Sequence, residues 1–241
     1  MAKPCAFCKI ERIATREHIW PKNILEKTNY EIRYSERAQK IFSGDMIIRD
    51  VCAICNNGPL SILDAYAGQL YDSHFGKFER ATEKIEFSYD YGKFVRWLLK
   101  ISYNASRGTR VDSELLAQYA PIIISEHECS PAHVAIFIGR IRPSRKNNGQ
   151  LMKPLGARCG RTRIAGGEYD RWCATRIVTI NTYMFNMVVV RDTSFDASYI
   201  EPLCRNLYGV PLDPRGHVVI PAPTIDTVQA MSGIESWPVG D

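Results

Sequence analysis

Long apolar runs are missing from this sequence. No stretch approaches the roughly 18 consecutive apolar residues of a membrane-crossing helix, which excludes an integral helical membrane protein and removes any need for a membrane partner. The opening Met1-Ala2-Lys3-Pro4-Cys5 turns polar at once and carries no apolar core of a secretory leader, so a cytoplasmic protein is expected. There is no internal repeat and no low-complexity tract. A strong charge of one sign is also lacking: 31 basic against 26 acidic residues leave +5, which decides little about partners. Disorder is excluded by a hydrophobic content of 45% and a charged content of 24%, close to globular averages. A chain of 241 residues makes one large domain or two small ones.

What the sequence does have is an organised set of cysteines. Four of the eight form two close pairs, Cys5-x-x-Cys8 and Cys52-x-x-Cys55, and the others, Cys129, Cys159, Cys173 and Cys204, are scattered. In a chain of this length without a leader, paired knuckles read as metal ligands rather than as a disulfide framework. Four thiolates close a tetrahedral shell around zinc and leave no position for water, so the site is structural. A segment of about 70 residues is near the size at which a core alone becomes marginal, and the metal joins its start to its middle. The scattered cysteines read as small buried hydrophobes. His127-x-Cys129 with His133 nearby lacks a fourth ligand.

The pass along the chain predicts extended stretches at 13–20 and 46–51, a short helix over 22–27 opened by Pro21, and a helix from Leu60 to about Tyr71. Pro59 suits the first helical turn, and Leu60, Leu63, Ala67 and Leu70 repeat at helical spacing. A strand at 83–89, helices at 93–106 and 113–120, and strands at 133–141, 175–180 and 184–191 follow, the last two as a hairpin. A helix at 199–208 and an extended tail from Pro211 complete the reading. The fold class is α+β with two domains, 1–78 around the cysteines and 79–241 as a mixed α/β accessory domain with antiparallel strands.

Between the knuckles stand Arg16-Glu17-His18-Ile19-Trp20-Pro21, and the second knuckle runs into Asn56-Asn57. In this order, over residues 5–72, the pattern resembles the zinc-stapled branch of the HNH endonuclease superfamily, whose fold is a β-hairpin and helix around a metal (ββα-metal). The resemblance implies a structural zinc on Cys5, Cys8, Cys52 and Cys55. It implies His18 as general base, with Glu17 and Asn56 as ligands of a catalytic Mg²⁺ or Mn²⁺. The residue types suit the chemistry: a neutral imidazole takes a proton from water near pH 7, and hard oxygen donors hold a hard cation against a phosphate. Glu17 stands where Asp or His is more usual. The stretch 44–50 has no Asn of the kind that orients the base in this family, leaving Asp45 or Asp50 as stand-ins, and no Lys follows Asn56 at 58–60. Regular pleating would send Glu17 and His18 to opposite faces, so the site is expected where the strand bends or ends.

From Arg140 to Arg163 the chain carries Arg140, Arg142, Arg145, Lys146, Lys153, Arg158, Arg161 and Arg163 and no acidic residue. Rich in Gly, Pro and Asn, the span reads as a cationic loop suited to phosphates, without the aromatic residues that base stacking needs. Lys100, Asn104 and Arg107 share one face of their helix, which reads as a solvated face or as a DNA contact.

The functional expectation is a metal-dependent HNH endonuclease hydrolysing DNA phosphodiester bonds, with RNA as a further possible substrate. The resemblance implies a bacterial or phage setting, such as anti-phage defence or a mobile element, and allows a regulatory partner such as a sensor ATPase. The alternative is a non-catalytic zinc module that binds nucleic acid or protein.

Overall fold

The computed structural model describes residues 2–28, 33–35, 40–42, 47–77, 83–125, 133–145, 147–150, 156–162, 169–192, 204, 207–232 and 234–236. These residues fall into two compact units. The first takes described residues up to 71 together with 92–125, and the second takes 72–91 together with those from 133 on.

In the first unit, short strands β1 (Lys3–Pro4) and β2 (Glu11–Arg12) pair on either side of the first knuckle. The knuckle turns back through Lys9, whose φ of 62° lies in the left-handed region. Its turn is closed by Lys9 N–H on the Cys5 carbonyl and Cys5 N–H on the Ile10 carbonyl, both 3.0 Å. Strand β3 (Ala14–His18) leads into helix α1 (Lys22–Lys27), which opens after Pro21 as the sequence predicts. Strands β4 (Arg33–Ser35) and β5 (Lys40–Phe42) pair with each other.

Strand β6 (Ile47–Cys52) returns antiparallel to β3. The register shifts between Thr15 and Glu17, so Arg49 and Asp50 both lie opposite Arg16, a bulge that bends the strand just before Glu17-His18. Beyond β6 come the one-turn helix α2 (Ala53–Cys55), a wide turn over Asn56–Leu60 containing Pro59, and helix α3 (Ser61–Leu70). Helix α3 buries Leu63, Ala67 and Leu70, as the helical spacing predicts.

Helix α4 (Tyr91–Thr109) spans the predicted helix and extends it at both ends. It is buried from Phe94 to Ser106 without a break, so it has no solvent face over that length. Trp97 meets Trp20 edge-on, with ring centroids 5.8 Å apart, and Tyr103 meets Phe7 of the first knuckle at 5.3 Å. The sequence division at 78/79 leaves this helix in the accessory segment, whereas its packing puts it in the cysteine-bearing unit. Two short helices, α5 (Ser113–Ala117) and α6 (Ala120–Ile123), take the place of the single one predicted at 113–120.

The second unit is built on an antiparallel sheet. Strand β7 (Ile85–Ser88) lies outside it, and the sheet's central members are β8 (Val134–Arg142), β9 (Arg158–Thr162), β10 (Cys173–Ile180) and β11 (Tyr183–Val190). With the short β12 (Val210–Pro211) and β15 (Ile234–Ser236), the order is β12-β8-β11-β10-β9-β15. The β10–β11 hairpin predicted from the sequence is present, with a two-residue turn at Asn181-Thr182 and Asn181 at φ 53°. Both strands are buried along their whole length, so both faces of the sheet are covered. Phe75 packs on Tyr183 and Phe185 on one face. Ile141, Ile177 and Met184 pack with Ala230 on the other.

The tail is not a bare strap. It holds β13 (His217–Ile220), paired with β7, then β14 (Ile225–Asp226), parallel to β8, and helix α7 (Thr227–Ser232). Most of the predicted helix at 199–208 lies outside the described residues. Among the described residues no helix is long and apolar enough to cross a membrane.

Candidate functional site

The four paired cysteines converge. The sulfurs of Cys5, Cys8, Cys52 and Cys55 all lie within 4.8 Å of one another, and Cys8 Sγ is 3.8 Å from Cys52 Sγ. Four sulfurs at about 2.3 Å from a tetrahedral zinc stand about 3.8 Å apart, so the donor set and its spacing fit the ion. Cys5, Cys52 and Cys55 are buried and Cys8 is half-buried. Burial pushes the Cys5 thiol up, but N–H groups of Cys52, Cys8 and Phe7 outweigh it and bring it down to about 7. Burial pushes Cys8 and Cys55 up, and neighbouring thiols push Cys55 further. A divalent ion removes that conflict by taking all four as thiolates. Cys159 and Cys173 are buried, as small hydrophobes would be, Cys204 is half-buried, and Cys129 and His127 lie outside the described residues.

Along β3 the pleat does what alternation demands. Glu17 is buried at 3% exposure, and His18 next to it is half-buried. The Glu17 carboxylate meets a cation from α4: Lys100 Nζ lies 2.8 Å from Glu17 Oε1 and 2.6 Å from an oxygen of Asp64 on α3. The Lys100 side chain is 0% exposed, Glu17's 4% and Asp64's 24%. Burial pulls Lys100 down, but the two carboxylates outweigh it and hold the ammonium above its ordinary range. Asp64 is pushed up by burial and by Glu17, against the lowering effect of Lys100 and His18.

Asn104, one turn further along α4, donates from Nδ2 to Glu17 Oε1 at 3.1 Å and to the His18 carbonyl at 3.5 Å. Its Oδ1 accepts from Arg107 Nη2 at 2.8 Å. Arg107 in turn pairs through Nε with Asp50 Oδ2 at 3.2 Å, and its guanidinium lies over the rings of Tyr103 and Phe7. The face of α4 read as solvated or DNA-facing is therefore internal. Asp50 serves Arg107, and its carbonyl accepts the Ala6 N–H at 2.8 Å, while the partner of His18 across the strand pair is Ile47. Asp45 lies outside the described residues.

Asn56 is half-buried at the start of the wide turn, and its Nδ2 donates to Thr15 Oγ1 and the Arg16 carbonyl, each at 2.9 Å. It thus ties the second knuckle to the strand that carries Glu17 and His18, and its amide oxygen is not used by those two bonds. Glu17 does not fit a hydrated Mg²⁺ or Mn²⁺ as placed: the carboxylate is enclosed, and an ammonium 2.8 Å away repels a second cation. Among the described residues, the group of three or more His, Cys, Asp or Glu side chains close enough to hold an ion is the four cysteines.

The basic span does not form one loop surface. Arg140 sits in β8 at 2% exposure and donates from Nη1 to the Glu83 carbonyl at 2.8 Å. Through its register with Tyr183 and Ile180 it shares a face with those residues, whereas Arg158 pairs with Thr179 and so points to the other face. Arg161 is half-buried in β9 and paired with Asp170 Oδ2 at 2.7 Å. Arg142 and Arg145 are exposed, and Lys146, Lys153 and Arg163 lie outside the described residues.

No protein-family model, no curated protein and no solved structure matches this chain. The arrangement of Cys5, Cys8, Cys52 and Cys55 is compatible with a zinc-stapled module.

Proposed function

We propose that this protein hydrolyses phosphodiester bonds in DNA as a metal-dependent endonuclease of the HNH type, with His18 as general base. The observation that carries the reading is the antiparallel β3–β6 pair, with α3 following β6 after the second knuckle, four convergent thiols, a half-buried imidazole at the end of β3 and Asn56 bonded to the same strand. A neutral imidazole there takes the proton of a water that attacks phosphorus in line, leaving a 5′ phosphate and a 3′ hydroxyl. When bound, Mg²⁺ or Mn²⁺ supplies charge neutralisation at the phosphate. Of the two ligands that the resemblance implies, Asn56 has an amide oxygen outside its two donated bonds and Glu17 is held by Lys100. Phosphate contact in the second unit falls to exposed Arg142 and Arg145.

One observation favours a second reading, a zinc module that binds nucleic acid or protein without cutting. The closed Glu17–Lys100–Asp64 cluster gives Glu17 a structural role that needs no catalysis. The two readings separate in a plasmid-nicking assay with Mg²⁺ or Mn²⁺, wild type against His18→Ala. The endonuclease reading expects nicking by the wild type and its loss in the variant. Equal cutting by both removes His18 as base, and no cutting by either transfers the weight to the binding module.

A further inference from the structure

Resting on that endonuclease reading, we infer that Asn104 of α4 is the positioning residue of the Glu17-His18 pair, the part for which β6 carries no asparagine. In the structure Asn104 Nδ2 reaches both halves of the pair, the Glu17 carboxylate at 3.1 Å and the His18 carbonyl at 3.5 Å. Its own side chain is fully buried, and its orientation is set by Arg107 Nη2 on Oδ1. An amide held in this way has one direction for its oxygen and one for its donors. Those donors close on β3 immediately after its bulge, where the ladder is irregular and does least to hold the strand. Lys100 fixes the other approach to the same Glu17 oxygen.

Glu17 is then an anchor. Its carboxylate, clamped by an ammonium and an amide from α4, immobilises the residue that precedes the base. The imidazole of His18 is presented from a backbone whose carbonyl meets the same amide. The helix that does this lies outside the stretch of chain that carries the likeness, so the module is complete only with α4.

Asn104→Asp tests this with almost no change in shape. The oxygen facing Arg107 is kept, while both donations to β3 are lost and a carboxylate replaces the donor beside Glu17. The partner variant is the exchange Glu17→Gln with Asn104→Asp, which restores one donor and one acceptor in the reverse sense and keeps one negative charge near Lys100. Four proteins (wild type, each single variant and the exchange) are compared for kcat and KM in plasmid nicking with Mg²⁺, for zinc content, and for amide hydrogen exchange of residues 14–20 in the protein alone.

Asn104→Asp is expected to lower kcat about tenfold or more with KM within about twofold of wild type. Zinc content stays unchanged and exchange at 14–20 speeds up. The exchange variant, which restores the contact between residues 17 and 104 but not the donation to the His18 carbonyl, is expected to recover part of both kcat and protection, which a residue needed only for fold or a Glu17 needed as a metal ligand would not give. Unchanged kcat or unchanged protection in Asn104→Asp overturns the inference, and so does an exchange variant as slow as the single ones. If the wild type cuts no DNA, the endonuclease reading fails, and hydrogen exchange still decides whether Asn104 holds the strand. If Asn104→Asp loses zinc or does not fold, Asn104→Leu, which removes both donors without adding a charge, is measured in its place against the same limits.

Discussion

Lys100→Met is expected to be among the most damaging single substitutions in the first unit, and its cost should depend on pH. The ammonium is fully enclosed and lies 2.6 to 2.8 Å from oxygens of two carboxylates, themselves 4% and 24% exposed. Removing one partner of a buried pair costs about 3–5 kcal/mol, most of it the penalty of leaving the opposite charge without compensation. Methionine fills the volume of the stem, so the loss is electrostatic rather than a cavity. At about 2–4 °C per kcal/mol for a chain of this size, the melting temperature should fall by about 6–20 °C at neutral pH.

The sign of the pH dependence follows from which form each group prefers. In the wild type the raised Lys100 keeps its contribution at every pH below its unfolded value and loses it only as pH rises through the higher folded value. In the variant, Asp64 faces the Glu17 carboxyl in a poorly solvated place without a cation, so its folded pKa, which burial already raises, rises further. A raised acid binds its proton more tightly in the folded state. The penalty is therefore full above the raised value and shrinks as pH falls through it toward the unfolded value of about 4. Urea unfolding at pH 7.5, 6 and 5, with zinc saturating, reads this directly. Adding Glu17→Gln and Asp64→Asn to Lys100→Met should return a large part of the loss at pH 7.5. A cost below about 1 kcal/mol, the range of a solvated surface pair, would refute the reasoning, as would a cost that does not shrink at pH 5.

Metal analysis is expected to return about one zinc per chain, lost in the double variant Cys52→Ser, Cys55→Ser, because four thiols close one shell. A folded protein without zinc would remove the knuckle assignment. In the second unit, Gly216 has φ +80°, and a Cβ there would stand 2.3 Å from the Tyr89 carbonyl oxygen. Gly216→Ala should therefore lower stability by more than about 1 kcal/mol, seen as a lower melting temperature, and an unchanged melt would place that turn elsewhere.

The parts of the fold that were legible in the sequence are those whose signal is local. Pro21 sets the start of α1, the apolar spacing from Leu60 to Leu70 sets α3, and the alternating and β-branched residues around Asn181-Thr182 set the β10–β11 hairpin. The two knuckles were legible because zinc chemistry fixes both residue type and spacing, and the structure brings all four sulfurs together. Over the basic span, composition and structure part for a related reason. Its Gly, Pro and Asn content signals loop, but Arg140 and Arg142 complete β8, and Arg158 and Arg161 lie in β9, where sheet pairing decides and composition does not.

The polar face of α4 was the part of the candidate site that could not be read locally. Lys100, Asn104 and Arg107 at spacings of four and three make a stripe, and a charged stripe on a helix ordinarily faces water. Leu99 and Ile101 on either side of Lys100 already argue for enclosure, but enclosure of a lysine is affordable only if carboxylates meet it, and those come from residues 17 and 64. Neither is marked as a partner by its own surroundings: Glu17 reads as half of a catalytic dipeptide, and Asp64 stands beside the apolar stripe of α3. Their meeting depends on three elements more than 30 residues apart in the chain closing on one ammonium. The same closure gives Asn104 its two contacts on β3. The chemistry proposed for His18 therefore depends on a helix that its own motif does not contain.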